Sequence, residues 1–81
     1  LSSATTPSTG AILSPMPGMV IAVAVTAGER VVAGQRLLTL EAMKMEHTLT
    51  APFDGVVAEL NVVPGARVQV EALLARIVAD A

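Results

Sequence analysis

Residues 52–62 have the sequence PFDGVVAELNV, which shows the fold of this chain more clearly than any other stretch. Glu59 and Asn61 alternate with apolar residues, and this period of two is typical of a β-strand with one buried face. Turn-forming pairs bracket the run, with Asp54-Gly55 before it and Pro64-Gly65 after it. The sequence therefore predicts a short strand whose core-facing residues are Val56, Ala58, Leu60 and Val62.

The chain contains this pattern twice, because residues 15–40 match residues 52–77 at a constant offset of 37 positions without a gap. Identical residues at that offset include Pro15 and Pro52, Gly18 and Gly55, Val20 and Val57, Gly28 and Gly65, Arg30 and Arg67, and Leu37 and Leu74. By correspondence, the residues of the first copy that should face the core are Met19, Ile21, Val23 and Val25. One copy is too small to bury its own apolar face, so we expect the copies to pack on each other around an approximate two-fold axis. Such short strands between turn signals indicate an all-β sandwich or barrel.

Length and composition limit the chain to one small domain. It has 81 residues, 53% of them hydrophobic, but Phe53 is the only aromatic residue, so the core must be mainly aliphatic. The longest apolar run, Met19 to Val25, is far shorter than the roughly 20 residues that a membrane-spanning helix needs. A net charge of −2 without basic clusters argues against nucleic-acid binding. The lack of cysteine excludes a disulfide framework and a thiolate metal site.

The first ten residues differ in composition from the rest. Residues 1–10 read LSSATTPSTG, which is small, polar and uncharged. Such a segment buries too little apolar area to offset the entropy lost on ordering. We therefore predict a flexible linker over residues 1–10, either a tether or a terminal remnant, and a folded domain over residues 11–81.

The two copies meet at residues 41–47, EAMKMEH, which contain the only lysine of the chain, Lys44. Residues 36–47 are rich in helix-forming residues, so propensity alone favours a helix. Against this, Leu38 and Leu40 correspond to Ala75 and Ile77 of the second copy, which alternate with a charged residue as in a strand. The residues by themselves leave both structures open.

The segment Ala42-Met43-Lys44-Met45 resembles the attachment motif of the biotinyl carrier domains of biotin-dependent carboxylases. Residues 15–18, PMPG, and the turn glycines extend this resemblance over roughly residues 12–79. It implies an all-β, biotinyl/lipoyl-like hammerhead, that is, a flattened β-barrel or sandwich of two pseudo-two-fold related four-stranded halves. It also favours a hairpin with Lys44 at its tip over the helix. The tip lacks the Asn-Gly or Asp-Gly that tight turns prefer, so a two-residue loop would hold Met43 and Lys44 at positive φ.

The resemblance implies a carrier that has no catalytic role of its own. Biotin would be attached to the amine of Lys44, with Ala42, Met43 and Met45 as the recognition motif. The attached biotin would move a carboxyl group between biotin carboxylase and carboxyltransferase sites on separate domains or subunits. A biotin protein ligase would attach the biotin, and the isolated domain would be a monomer without nucleic-acid or membrane partners. The location implied is the cytoplasm, or the mitochondrial matrix in a eukaryote.

Other polar residues near the motif have simpler interpretations. Glu41 and Glu46 are predicted to be solvated and not catalytic. His47 is predicted to pack near the rim of the barrel, because a catalytic zinc site usually needs three protein ligands and His47 is the only histidine. Arg30 and Arg67 follow equivalent turns and are predicted to bond turn carbonyl groups as structural residues.

Alternative functions remain within and beyond this family. Residues 42–48 most resemble acyl-CoA carboxylase α chains of the methylcrotonyl-CoA or propionyl-CoA type, followed by pyruvate carboxylase and oxaloacetate decarboxylase carriers. The gapless repeat leaves no room for the inserted finger of some bacterial acetyl-CoA carboxylase carriers. Lipoyl domains of 2-oxoacid dehydrogenases share the two-copy architecture, but their lysine usually lies beside Asp and Ala. A purely structural lipoyl-like domain would not need a lone lysine at this position.

Overall fold

The structure is a computed structural model that describes residues 10–79. The described residues contain eight β-strands and no helix: β1 (Ala11–Leu13), β2 (Gly18–Val23), β3 (Arg30–Val31), β4 (Arg36–Ala42), β5 (Met45–Thr50), β6 (Gly55–Leu60), β7 (Arg67–Val68) and β8 (Leu73–Ala79). Nine of the ten residues of the predicted linker lie outside the described residues. Its last residue, Gly10, is buried and its carbonyl oxygen accepts a hydrogen bond from the Ile77 amide at 2.8 Å.

The strands form two antiparallel sheets of four. The order in the first, here called the tip sheet, is β5-β4-β2-β7, and the order in the second, here called the terminal sheet, is β1-β8-β6-β3. The same offset of 37 relates β1 to β5, and when these strands are counted with the first and second copy, each sheet contains two strands from each copy. The predicted all-β fold with two related four-stranded halves is confirmed, and the sheets form an open sandwich and not a closed barrel.

Paired hydrogen bonds show the two-fold relation between the copies. The amide of Gly28 donates to the carbonyl oxygen of Val57 at 2.7 Å, and the amide of Gly65 donates to that of Val20 at 2.7 Å. Each bond joins a turn of one copy to a strand of the other. The copies are thus interleaved, so neither should form its sheet without the other.

The core consists of two apolar clusters that the repeat relates to each other. One contains Val31, Leu37, Val57, Ala75 and Ile77, and the other contains the equivalent residues Val68, Leu74, Val20, Leu38 and Leu40. All but Val68 are at most 1% exposed. Burial of these apolar side chains is the main favourable contribution to folding, at roughly 25 cal/mol for each Å² of apolar surface removed from water.

The predicted facing of the repeat strands is wrong at their beginnings and right at their ends. Val20 and Val57 are fully buried, whereas their neighbours Met19, Ile21, Val56 and Ala58 are not. The reason is a β-bulge in each copy, because the paired positions skip one residue, Ile21 in β2 and Ala58 in β6. An extra residue reverses the alternation that follows it. Beyond the bulge, the residues that pack against the core are those predicted: Val23, Val25, Leu60 and Val62.

Candidate functional site

The junction of the two copies is a tight hairpin, so the strand interpretation of residues 36–47 is confirmed over the helix. β4 and β5 pair with Ala42 opposite Met45, which leaves only Met43 and Lys44 in the loop. Their φ angles are 53° and 66°, in the left-handed region predicted for a two-residue loop. Such a conformation costs each non-glycine residue about 1–3 kcal/mol and persists because the paired strands impose it.

The three residues around the turn project from the domain. Lys44 is exposed, Met43 is 84% exposed and Met45 is 62% exposed, whereas Ala42 is buried. Two exposed methionines are unusual, because the thioether side chain normally fills gaps in cores. Lys44 makes no hydrogen bond or salt bridge with any residue in the range 10–79. The tip therefore presents an unpaired primary amine between two apolar side chains.

A row of four side chains crosses the outer face of the tip sheet beside the turn. Met19 on β2 lies opposite Arg67 on β7 and opposite Glu41 on β4, and Glu41 lies opposite Glu46 on β5. Because cross-strand partners share a face, these four residues, here called the outer row, point away from the core that contains Val20. Glu41 and Glu46 are exposed, in agreement with their predicted solvated position.

An open cleft of about 420 Å³ lies between the tip and the outer row. Its lining residues are Pro17, Gly18, Met19, Glu41, Ala42, Met43, Lys44 and Arg67. Gly18 allows the strands to approach here, since a Cβ atom at this position would lie 2.5 Å from the Glu41 carbonyl oxygen and 3.0 Å from the Ala42 Cβ. The small residues Gly18 and Ala42 thus bring the tip close to β2.

Sequence reasoning placed the tip correctly but missed Met19, Gly18 and Arg67 as its neighbours. Arg67 was predicted to bond a turn carbonyl group, but its side chain makes no hydrogen bond within residues 10–79. Its strand lies at the edge of the tip sheet, and Arg67 lines the cleft. The sequence does contain a usable signal, because the repeat equivalents of Met19 and Glu41 are Val56 and Val78, so a bulkier and a charged residue break the match between the copies here.

The remaining polar residues of the described range do not form a metal-binding group. His47 is half-buried in β5 opposite Leu40. Across residues 10–79, no three His, Asp or Glu side chains are grouped so that they could hold a metal ion. The same residues include no helix long and apolar enough to cross a membrane.

Comparison with known proteins identifies the family. Residues 10–77 match the biotin/lipoyl domain family, described as "Biotin-requiring enzyme". The chain is 47% identical to the biotin carboxyl carrier protein of acetyl-CoA carboxylase from Solanum lycopersicum, over 74% of this chain and 86% of that protein. It is 51% identical to the mitochondrial methylcrotonoyl-CoA carboxylase subunit alpha of Dictyostelium discoideum, over 63% of this chain but only 7% of the relative.

A solved structure agrees in fold. A single-chain, multi-domain long-chain acyl-CoA carboxylase superposes with a TM-score of 0.81 and 31% identity, over 99% of this chain and 8% of that one. The chain therefore matches less than a tenth of these multi-domain enzymes. The family description and the name of the Solanum lycopersicum relative both specify biotin, which favours biotin over the lipoyl alternative. The chain belongs to the biotin-requiring enzyme family, as a biotinyl carrier domain that is not catalytic on its own.

Proposed function

We propose that Lys44 is the residue that carries biotin, and that the domain moves a carboxyl group between the two active sites of a biotin-dependent carboxylase. The observation that carries this proposal is the strained two-residue turn that projects the amine of Lys44 from the domain. An amide to biotin needs a primary amine on a long stem that a ligase can reach. Lys44 meets this requirement, because it is exposed and has no partner among residues 10–79.

In this proposal, the domain displays the biotin on Lys44 and carries it from one active site to the other. When attached, biotin supplies a ureido nitrogen that accepts and releases a carboxyl group. Lys44 supplies a flexible stem, and the rigid hairpin fixes where that stem begins. Attachment also removes the charge of Lys44, so the stem can enter apolar channels at lower desolvation cost. Tethering raises the effective concentration of biotin at both active sites, so weak docking of the domain suffices.

The three motif residues have different proposed roles. Met43 and Met45 are exposed on either side of Lys44, and we assign them to direct recognition by a biotin protein ligase and by the partner enzymes. Ala42 is buried, so a partner protein does not contact it directly. Its small side chain instead permits the close approach of Gly18 to the hairpin, which fixes the direction of the tip.

The proposed partners are a biotin protein ligase and the biotin carboxylase and carboxyltransferase domains or subunits. The similarity to methylcrotonoyl-CoA and long-chain acyl-CoA carboxylases supports an acyl-CoA as the acceptor. We propose that the isolated domain is monomeric and that it acts in the cytoplasm or, in a eukaryote, in the mitochondrial matrix.

Co-expression with a biotin protein ligase tests the attachment site. Intact mass should show one added biotin on the native domain and none on Lys44→Arg. A matched control is Arg36→Lys, which adds a second exposed lysine on β4 and should still gain only one biotin. Lys44→Arg should change the free energy of unfolding by no more than about 0.5 kcal/mol, as is usual at exposed positions. Biotin on the Arg variant, or lipoate in place of biotin, would contradict the proposal.

A further inference from the structure

We propose that the cleft beside the tip binds the ureido ring of the domain's own biotin, with Arg67 and Glu41 as its polar contacts. This proposal rests on the attachment at Lys44. The cleft begins at the attachment point, since Lys44 and Met43 form one wall of it. The combined lysine and valeryl chain has many rotatable bonds, so the ring at its end can fold back into the cleft.

The polar groups of the cleft complement those of the ring. A ureido ring has a carbonyl oxygen that accepts hydrogen bonds and N–H groups that donate them. Arg67 only donates, and an ionised Glu41 only accepts. Arg67 and Glu41 flank Met19 in the outer row, and cross-strand neighbours lie about 5 Å apart. Arg67 and Glu41 are therefore roughly 10 Å apart at their backbones, on either side of Met19, so a small bicyclic ring that lies over Met19 can reach both.

Met19 supplies an apolar contact at the centre of the row. It is half-buried and lies between Arg67 and Glu41 in the order of the strands. The thioether is flexible and polarisable, so it adapts to the sulfur-containing ring of biotin. Gly18 also lines the cleft, where the lack of a side chain lets its backbone lie close to Glu41 and Ala42. The cleft thus offers an apolar floor with a donor at one side and an acceptor at the other.

The polar groups are available for a ligand. Neither Arg67 nor Glu41 has a hydrogen-bonding or ion-pair partner through its side chain within residues 10–79, although both line the same cleft. Arg30, the equivalent of Arg67 in the terminal sheet, does have an interaction partner. Its neighbours across the sheet are Val56 and then Val78, which lack polar side-chain groups. The donor–acceptor pair therefore occurs beside Lys44 and not at the equivalent position.

Docking should be weak and reversible. The cleft is open, and folding the arm back loses conformational entropy, so the ring should exchange quickly between docked and free positions. The docked ring would stay bound in the cleft of its own domain until a partner enzyme binds it more tightly.

Nuclear magnetic resonance of the biotinylated domain tests this inference. Intact mass first establishes that Lys44 carries biotin, so failure of the attachment is recognised separately. We expect nuclear Overhauser effects between the ring protons of biotin and the Met19 methyl group. We also expect amide shifts of Gly18, Met19 and Glu41 to differ between the biotinylated and unmodified domains. A fully biotinylated domain with no such effect and with shift changes confined to residues 43–45 would overturn the docking.

Three variants separate binding in the cleft from a general effect on the sheet. Arg67→Gln should lower the docked population by about tenfold, as expected for loss of a charged hydrogen bond, and should reduce the shift changes accordingly. Arg30→Gln is the matched control in the terminal sheet and should leave them unchanged. Met19→Val, which copies Val56, should remove the methyl contact and weaken the shifts at Gly18. Equal shift changes in Arg67→Gln and in the native domain would also overturn the assignment.

Discussion

The tip sheet and the terminal sheet have nearly the same interior and different exteriors. Inside, Val20 matches Val57, Leu37 matches Leu74 and Leu40 matches Ile77, all fully buried. Outside, the row Arg67, Met19, Glu41 and Glu46 of the tip sheet has as its counterpart Arg30, Val56 and Val78 in the terminal sheet. The buried residues therefore keep the repeat because packing requires it, while the exposed residues beside Lys44 have diverged from it. The comparison therefore separates the buried residues that maintain the fold from the exposed residues that serve the proposed carrier function.

The largest expected effect is a loss of stability on truncating a core leucine, and it tests whether the interiors of the two sheets are equivalent. Leu37→Ala and Leu74→Ala should each lower the free energy of unfolding by about 2–5 kcal/mol, because each leaves a cavity at a fully buried position. As repeat equivalents, they should differ from each other by less than either differs from the native domain. Denaturant unfolding followed by circular dichroism gives both values. One variant close to native and the other unfolded would show that the clusters are not equivalent.

The next effect concerns the tip and needs no change of composition. Exchange of Lys44 and Met45 moves the amine by one residue into β5, where side-chain direction changes, so the amine leaves the tip in another direction. We expect a folded domain that a biotin ligase modifies roughly tenfold more slowly or worse, given the cost of misplacing a reacting group. Initial rates of biotin incorporation at equal protein concentration measure this. Similar rates for the two domains would show that the ligase needs only an accessible lysine.

A smaller effect is expected at a turn where the copies differ. Gly34 has φ 85° and its equivalent in the second copy, Glu71, has φ 65°, which is unfavourable for a residue with a Cβ atom. Glu71→Gly should therefore stabilise the domain by up to about 1 kcal/mol, less the entropy that glycine loses on folding. The reciprocal change Gly34→Ala should destabilise it by about 1 kcal/mol, although no atom lies within 4 Å of the added Cβ. Thermal unfolding of both variants gives the signs, and equal signs would contradict the strain argument.

The smallest effect concerns the charges of the outer row. Glu41 and Glu46 lie directly opposite each other, so Glu46→Gln should stabilise the domain by about 0.2–1 kcal/mol at low salt and by less at high salt. Glu59→Gln is the control in the terminal sheet, because Glu59 is 3.5 Å from Arg76 and should lose a weak salt bridge. The two variants should thus shift the midpoint of unfolding in opposite directions. A destabilising Glu46→Gln would mean that Glu46 has a favourable partner in solution.

The sequence predicted the β-fold, the hairpin and its positive φ angles, because these depend on local turn chemistry and on a repeat that is visible along the chain. It failed at the bulges for an instructive reason. Both copies insert the extra residue at the same place, Ile21 and Ala58, so the alignment of the copies has no gap and hides it. The outer row was also missed, because it joins Met19 to Glu41 and Arg67 through the register of strands distant in sequence.

The interleaved topology also connects the tip to the opposite end of the sandwich. Gly18 lies beside the tip, and from there β2 leads to Val25 and to a turn that bonds to Val57, at the other end of the sandwich. There Gly55 pairs with Ala79, the last described residue. Gly55 and Ala79 are the repeat equivalents of Gly18 and Ala42 beside the tip, so the two ends of the sandwich are built from equivalent pairs of residues.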